Sequence, residues 1–152
     1  MTELRYRRAT SADLGSIVAM LADDMLGSSR EKAAPEVAES YRRAFAEIDA
    51  DPNQFLCVVE EGHSIVGTLQ LTFIPGLSRG GAKRGQIEAV RIASERRGDK
   101  LGEAMFAWAI DQCRARGCSL VQLTTDKARP DAHRFYDRLG FEPSHIGYKL
   151  SL

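Results

Sequence analysis

The chain has 152 residues, 43% of them hydrophobic, with 21 Lys and Arg matched by 21 Asp and Glu. That length suits one domain with a real core and is short for two, so a single domain over residues 1–152 is expected. Balanced charge gives no global field for a polyanion, which argues against nucleic acid as a partner and leaves charged-ligand selectivity to local clusters.

The opening stretch MTELRYRRATSADLGSI meets charge before any long apolar run, unlike a secretory signal, and no run of about 18 apolar residues suited to a membrane span occurs. Cys57, Cys113 and Cys118 are odd in number and lack metal-pair spacing. They read as reduced, structural thiols of a cytoplasmic protein.

In chain order, Leu4 and Tyr6 suggest an edge strand, and Thr10 with Asp13 forms a helix-start box. The stripe Leu14, Ile17, Val18 and Leu21 predicts a helix from about Ser11 to Met25, packed by one face. After GSSREKAAP, the residues Val37, Tyr41, Ala44, Phe45 and Ile48 predict a second helix. The run Phe55 to Glu60, the turn at Glu61 and Gly62, and the run Ser64 to Ile74 predict an antiparallel hairpin. A Pro and Gly excursion from Pro75 to Gly81 precedes a strand over Gly85 to Ala93. A helix follows from Leu101 to near Gly117, then a strand over Ser119 to Thr125 and a helix from Pro130 to Leu139 stopped by Gly140. FEPSHIGYKLSL then supplies one more strand or a hairpin. This order predicts a mixed α/β sheet, antiparallel first and with a crossover later.

The segment ERRGDKLGEAMFAWAI joins a strand to a long helix. Such a junction aims backbone N–H groups and the positive end of the helix dipole at whatever lies before it. Gly98 and Gly102 permit close backbone approach, while Arg96, Arg97 and Lys100 add positive charge, so a pyrophosphate fits. The bland alternative is a solvated surface turn. Neither the dinucleotide glycine fingerprint nor the P-loop is present. Arg97-Gly98-Asp99 read as an adhesion signal would need an extracellular chain, and the tripeptide is common by chance.

These residues, IEAVRIASERRGDKLGEAMFAWAI followed by LTTDKARPDAHRFYDRLGF, resemble the GNAT superfamily of N-acetyltransferases. The acyl-CoA signature of that family, Q/R-x-x-G-x-G/A after a strand, aligns with Arg97 to Gly102, and Phe135-Tyr136 and Gly140-Phe141 fall at the family spacing. Lys100 stands where the family usually has glycine. Any left-handed conformation needed there falls on a lysine.

The resemblance implies an acyl-CoA N-acyltransferase fold, a mixed and centrally splayed β-sheet flanked by helices. It implies acetyl-CoA as co-substrate, no metal, and no covalent enzyme intermediate. By the same resemblance the backbone of Val90, Arg91 and Ile92 pairs with the pantetheine arm, and the backbone of Arg97, Gly98, Asp99, Lys100, Leu101, Gly102 and Glu103 holds the pyrophosphate. Homodimers are common in the family.

Acetyl transfer from a thioester to an amine needs a neutral amine and a proton for the departing thiolate. Glu88, on the same strand face as Val90 and Ile92 if that strand is regular, is the candidate base, and apolar neighbours would raise its pKa. The other reading of Glu88 is an edge residue pointing to solvent. Tyr136 occupies the family position near the CoA sulfur. A phenol near about 10 facing a thiol near about 8.5 makes full proton transfer cost roughly 2 kcal/mol, so hydrogen bonding to the thiolate competes with proton donation. Tyr136 also belongs to the stripe Ala132, Phe135, Tyr136 and Leu139, which reads equally as core.

Arg129 stands where many members carry Asn, with Asp126 slightly earlier; Arg129 either touches the CoA phosphates or is a pre-proline loop residue. His63, His133 and His145 carry no metal spacing. On the acceptor side, Asp23 and Asp24 could attract a cationic amine, and Arg79, Lys83 and Arg84 an anion, against a reading of all five as solvated surface charge. The expected activity is transfer of acetyl to a primary amine of a small molecule. A protein or peptide acceptor, or a CoA-binding regulatory module without efficient catalysis, are the alternatives.

Overall fold

The structure is a computed structural model that describes residues 2–24, 26–34 and 36–152. The chain opens with β1 (Leu4–Arg8), a single 3-10 turn (Ser11–Asp13) and α1 (Leu14–Ala22). The Asp13 carboxylate accepts the Thr10 N–H at 2.7 Å, as the helix-start box requires. Arg7 donates to Asp13 Oδ2 at 2.8 Å and to Glu60 Oε1 at 2.7 Å, so one guanidinium ties the sheet to the start of α1. Its hydrogen bond holds the buried Asp13 carboxyl below the ordinary value. The helix is shorter than the expected span, ending at Ala22, and Met25 lies outside the described residues.

A four-residue helical turn, α2 (Gly27–Arg30), and α3 (Glu39–Ala50) complete the first half. There follow β2 (Gln54–Glu61), β3 (Ser64–Ile74), a short turn α4 (Ser78–Gly81), β4 (Arg84–Ile92), α5 (Leu101–Ala115), β5 (Leu120–Gln122) and α6 (Pro130–Arg138). The five strands lie in chain order; β1 to β4 are antiparallel neighbours and β4 pairs with β5 in parallel. The hairpin between β2 and β3 turns at Gly62 and His63, with Gly62 at φ +62°.

The main core is Cys57, Val59, Leu69, Leu71, Phe73 and Ile87 of the sheet against Leu101, Met105, Phe106, Ala109 and Cys113 of α5. Gly85 lets that helix come close: a Cβ there would collide with the Cys113 sulfur. The opposite face buries Ala9, Ile17 and Val58 beneath Leu21 and Phe45 of α1 and α3. Burial pushes the Cys57 thiol up to about 12 and Cys113 to about 11, which keeps both as inert thiols.

Two expected elements differ. The strand over Ser119 to Thr125 contracts to Leu120–Gln122, because β4 leaves the ladder after Gln86. Residues 141–152 form no strand or hairpin. Phe141 packs on Phe106 and Tyr136, and the chain beyond runs exposed without a partner edge. A strand requires such an edge to satisfy its N–H and C=O groups.

Candidate active site

The site begins with an irregularity in β4. Thr68 faces Arg91 and Gln70 faces Glu88, so one residue of β3 opposes both Ala89 and Val90, and Ala89 takes φ +54°. This is a β-bulge, which bends the strand and re-aims its side chains. β4 pairs with β5 only over Arg84, Gly85 and Gln86. From Ile87 to Ile92 its far edge pairs with no strand among the described residues, and there the Val90 carbonyl accepts a hydrogen bond from the side chain of Arg91, Nη1 at 2.9 Å.

The bulge also corrects the expectation for Glu88. Val90 and Ile92 pack toward the α5 core, whereas Glu88 is exposed on the other face, and its neighbours are polar: Thr72 Oγ1 and Gln86 Nε2 both lie 3.4 Å from Oε1. The apolar surroundings anticipated for this carboxylate are absent. Around it lies a polar patch that sequence reasoning did not single out. Gln70 donates to Gln54 at 2.8 Å and Gln122 to Gln86 at 3.0 Å. The alternation of Thr68, Gln70 and Thr72 with Leu69, Leu71 and Phe73 was the available signal.

After β4 a 3-10 turn (Ser94–Arg96) leads into the glycine loop. Gly98 takes φ +89°, and Lys100, the residue capping α5, is left-handed at φ +60°, ψ +14°. The position of the family glycine therefore does need a positive φ, and lysine adopts it against its preference. The first helical bond of α5 is Ala104 N–H to Lys100 O at 3.3 Å. The backbone N–H groups from Gly98 to Glu103 find no acceptor among the described residues. This run of free donors at a fifteen-residue helix fits a pyrophosphate. Leu101 contributes only backbone, since its side chain is buried in the core. Gly102 packs closely: a Cβ would sit 3.3 Å from Ile92 Cδ1 and 3.4 Å from Phe135 Cζ.

The loop arginines are engaged elsewhere. Arg96 pairs with Glu61 and with Asp99, the latter at 3.0 Å, and Arg97 donates to the Asp23 carbonyl at 2.7 Å. Lys100 and Glu103 are exposed.

Tyr136 lies on α6 in an aromatic cluster, 5.6 Å from both Phe106 and Phe135 and 6.1 Å from Phe141 between ring centroids. Burial pushes its phenol above the ordinary value, with Arg129 and Arg91 pulling it back in part. It thus stays a proton-bearing donor at neutral pH, and its hydroxyl has no partner among the described residues. The ring therefore packs in the core, and the hydroxyl is left over from that packing.

Beside it, Arg91 Nε and Arg129 Nη2 approach the same Asp24 oxygen, at 3.0 and 3.1 Å. Arg91 Nε is close enough for an ion pair but poorly aligned, so its buried N–H has no hydrogen-bond acceptor among the described residues. Burial lowers the Arg91 guanidinium, opposed by Asp24 and reinforced by Arg129 and Arg30. Burial would raise Asp24, but the Gly27 N–H and the two arginines outweigh it and hold the carboxyl low. Asp24 is therefore committed to arginines, as Asp23 is to Arg97. Asp126 accepts the Ala128 N–H at 2.9 Å, folding its own loop. Lys83 donates to the Arg116 carbonyl at 3.0 Å, at the end of α5.

Two concavities lie away from the β4–β5 gap. One of about 550 Å³ sits on the β1 edge beside Tyr6 and Trp108. Another, about 260 Å³, lies between α1 and the start of the loop, lined by Met20, Asp23, Ala93 and Glu95. The β4 edge, the free loop donors and Tyr136 lie on β4, at the start of α5 and on α6, outside both concavities.

Comparison with known proteins bears on the family and the fold. The chain is 30% identical over 152 residues to an aminoalkylphosphonate N-acetyltransferase of Salmonella typhimurium, covering 100% of this chain and 94% of that protein. It is 35% identical over 89 residues to a glucosamine 6-phosphate N-acetyltransferase of Trypanosoma brucei brucei, covering 58% of each. A crystal structure of a transcriptional regulator from Bacillus halodurans C-125 superimposes with TM-score 0.95 at 49% identity, over 99% of this chain and 100% of that one. The family profile for the acetyltransferase (GNAT) family matches residues 18–141, and the chain belongs to that family of acyltransferases.

Proposed function

We propose that the protein transfers acetyl from acetyl-CoA to the primary amine of a small molecule that also carries a phosphate or phosphonate group. The observation that carries the acceptor half is the cluster at Asp24. Two guanidiniums share one carboxylate, which leaves an excess positive charge beside Tyr136. Guanidinium groups match the tetrahedral oxygens of a phosphoryl group in geometry and charge. The Salmonella and Trypanosoma relatives act, by their names, on an aminoalkylphosphonate and an amino-sugar phosphate, each uniting an amine with such an anion.

In this reading the pantetheine arm lies along Val90 to Ile92 and the pyrophosphate on the donors from Gly98 to Glu103. Glu88, in its polar patch, takes the amine proton through water. The neutral amine forms the new C–N bond, the C–S bond breaks, the attacking nitrogen loses its surplus proton through water to the departing thiolate, and the Tyr136 hydroxyl holds that thiolate by a hydrogen bond.

The test is CoA-thiol release over a panel in which each phosphorylated amine is paired with its phosphate-free analogue and with a peptide amine. Charge-assisted hydrogen bonds of about 1.5–3 kcal/mol predict a preference in kcat/KM of about 10–100-fold for the phosphorylated member. Arg129→Gln should narrow that preference, and Glu88→Gln should lower kcat on every acceptor. Equal rates across each pair would overturn the acceptor assignment. Tight acetyl-CoA binding with no acceptor-dependent release at all would favour a CoA-responsive regulatory module.

A further inference from the structure

Gly85 and Ile87 of β4 point toward α5, so Arg84, Gln86 and Glu88 share the opposite face of the sheet. On that face Gln54 of β2, Thr72 of β3, Gln86 of β4 and Gln122 of β5 are successive cross-strand partners. Gln122 Nε2 donates to Gln86 Oε1 at 3.0 Å, Gln86 Nε2 lies 3.4 Å from Glu88 Oε1, and Arg84 Nη1 lies 3.5 Å from Gln122 Oε1. The end contacts are long for hydrogen bonds, and such contacts commonly shorten when substrate is bound.

The charges at the two ends set the direction of this chain. A carboxylate only accepts and a guanidinium only donates. Gln86 must therefore turn its NH2 to Glu88 and its carbonyl to Gln122, and Gln122 its NH2 to Gln86 and its carbonyl to Arg84. Reversing either amide would set two acceptors or two donors face to face. Thr72 does not compete for Glu88, because its hydroxyl has one proton and Gln54 Oε1, at 3.0 Å, is nearer than Glu88 Oε1 at 3.4 Å. Gln86 is thus the remaining donor to Glu88 among the described residues, and it meets Oε1 alone. Glu88 is exposed, so without that contact its side chain is free to change rotamer.

We propose that Gln122 and Arg84 are positioning residues, which through Gln86 hold Oε1 of Glu88 and leave Oε2 for the water that carries the amine proton. The inference rests on the reading of Glu88 as the base and extends the machinery to a strand that does not carry the base. It also gives the short ladder between β4 and β5 a purpose. Its three pairs end with Gln122 opposite Gln86, the register the chain of donors requires, and the strands part before Glu88.

Two measurements on the full chain test this, one of them without turnover. In side-chain amide NMR, with the Gln86 and Gln122 NH2 signals assigned by substitution, Glu88→Gln should shift both sets. Signals of Gln122 that ignore the change at Glu88 would overturn the relay. In steady-state kinetics, Gln122→Leu should lower kcat by about 10-fold with both KM values within about twofold of the parent. Gln122→Glu keeps the size of the side chain and pairs with Arg84, but draws the Gln86 NH2 to itself and turns the Gln86 carbonyl toward Glu88. It should lose as much turnover as the leucine variant. Arg84→Lys, also a donor only, should recover most of what Arg84→Met loses. In a Glu88→Gln background the Gln122 changes should have no further effect. Full turnover in both Gln122 variants while Glu88→Gln is impaired, or an undiminished loss in the Glu88→Gln background, would overturn the positioning role and leave the base assignment standing. Unimpaired turnover in Glu88→Gln would overturn the base assignment itself, and the positioning role with it.

Discussion

Arg129 Nη2 lies 3.1 Å from Asp24 Oδ2, an ion pair that joins the start of α6 to the end of α1 across 105 positions of sequence. Arg91 of β4 meets the same oxygen, so three elements are tied at one carboxylate. Removing that charge leaves two half-buried guanidiniums facing each other. Asp24→Asn should cost about 3 kcal/mol in denaturant unfolding. Arg129→Gln, which leaves Arg91 paired, should cost clearly less.

Lys100 holds the left-handed conformation without the freedom of glycine. Lys100→Gly relieves a strain of about 1–2 kcal/mol, offset in part by the greater entropy of glycine in the unfolded chain. The expected net is a gain of about 0.5–1 kcal/mol, read as a raised Tm. Acetyl-CoA titration should show equal or tighter binding, whereas Lys100→Val, β-branched at positive φ, should weaken both.

Tyr136→Phe keeps the ring among Phe106, Phe135 and Phe141 and deletes the spare hydroxyl. Stability should stay within about 0.5 kcal/mol of the parent. Steady-state kcat should fall by about 100-fold with the KM for acetyl-CoA little changed. Unaltered turnover would assign the tyrosine to packing alone.

Acid should weaken the fold through Asp13 and Asp24. Both carboxyls are held below their ordinary value in the folded chain, so their stabilising contribution is complete above the unfolded value of about 4. It is lost progressively as pH falls below that point toward the folded values. Denaturant unfolding at stepped pH should show a steep decline below about pH 4, and Asp13→Asn should flatten that slope at the expense of stability at neutral pH.

The residues that announced the fold did so through local rules. Two β-rich runs around the turn at Glu61 and Gly62 placed β2 and β3, the spacing of Leu14, Ile17 and Val18 placed α1, and the strand, glycine loop and helix around Gly98 placed the donor run. The bulge at Ala89 had no such marker, since alanine is an ordinary strand residue and its positive φ follows from the mismatch with β3. That single kink decides which way Glu88 faces. The Asp24 cluster was equally hidden, because its members are distant in sequence and each reads alone as a surface charge. For residues 141–152 the expected strand or hairpin does not form, because strand pairing is a tertiary outcome and the backbone there meets no strand edge among the described residues.

The donors from Gly98 to Glu103 belong to the main chain, and so this part of the molecule is specified by backbone shape more than by side-chain chemistry. Side chains exposed along the loop are free to drift so long as positions 98 and 100 keep their left-handed turns. Proline is the substitution to which such a site is most vulnerable, because it deletes an N–H without adding bulk to a pocket. A proline scan across the loop, read by acetyl-CoA titration beside an alanine scan of the same positions, should show losses in the first series that the second largely lacks.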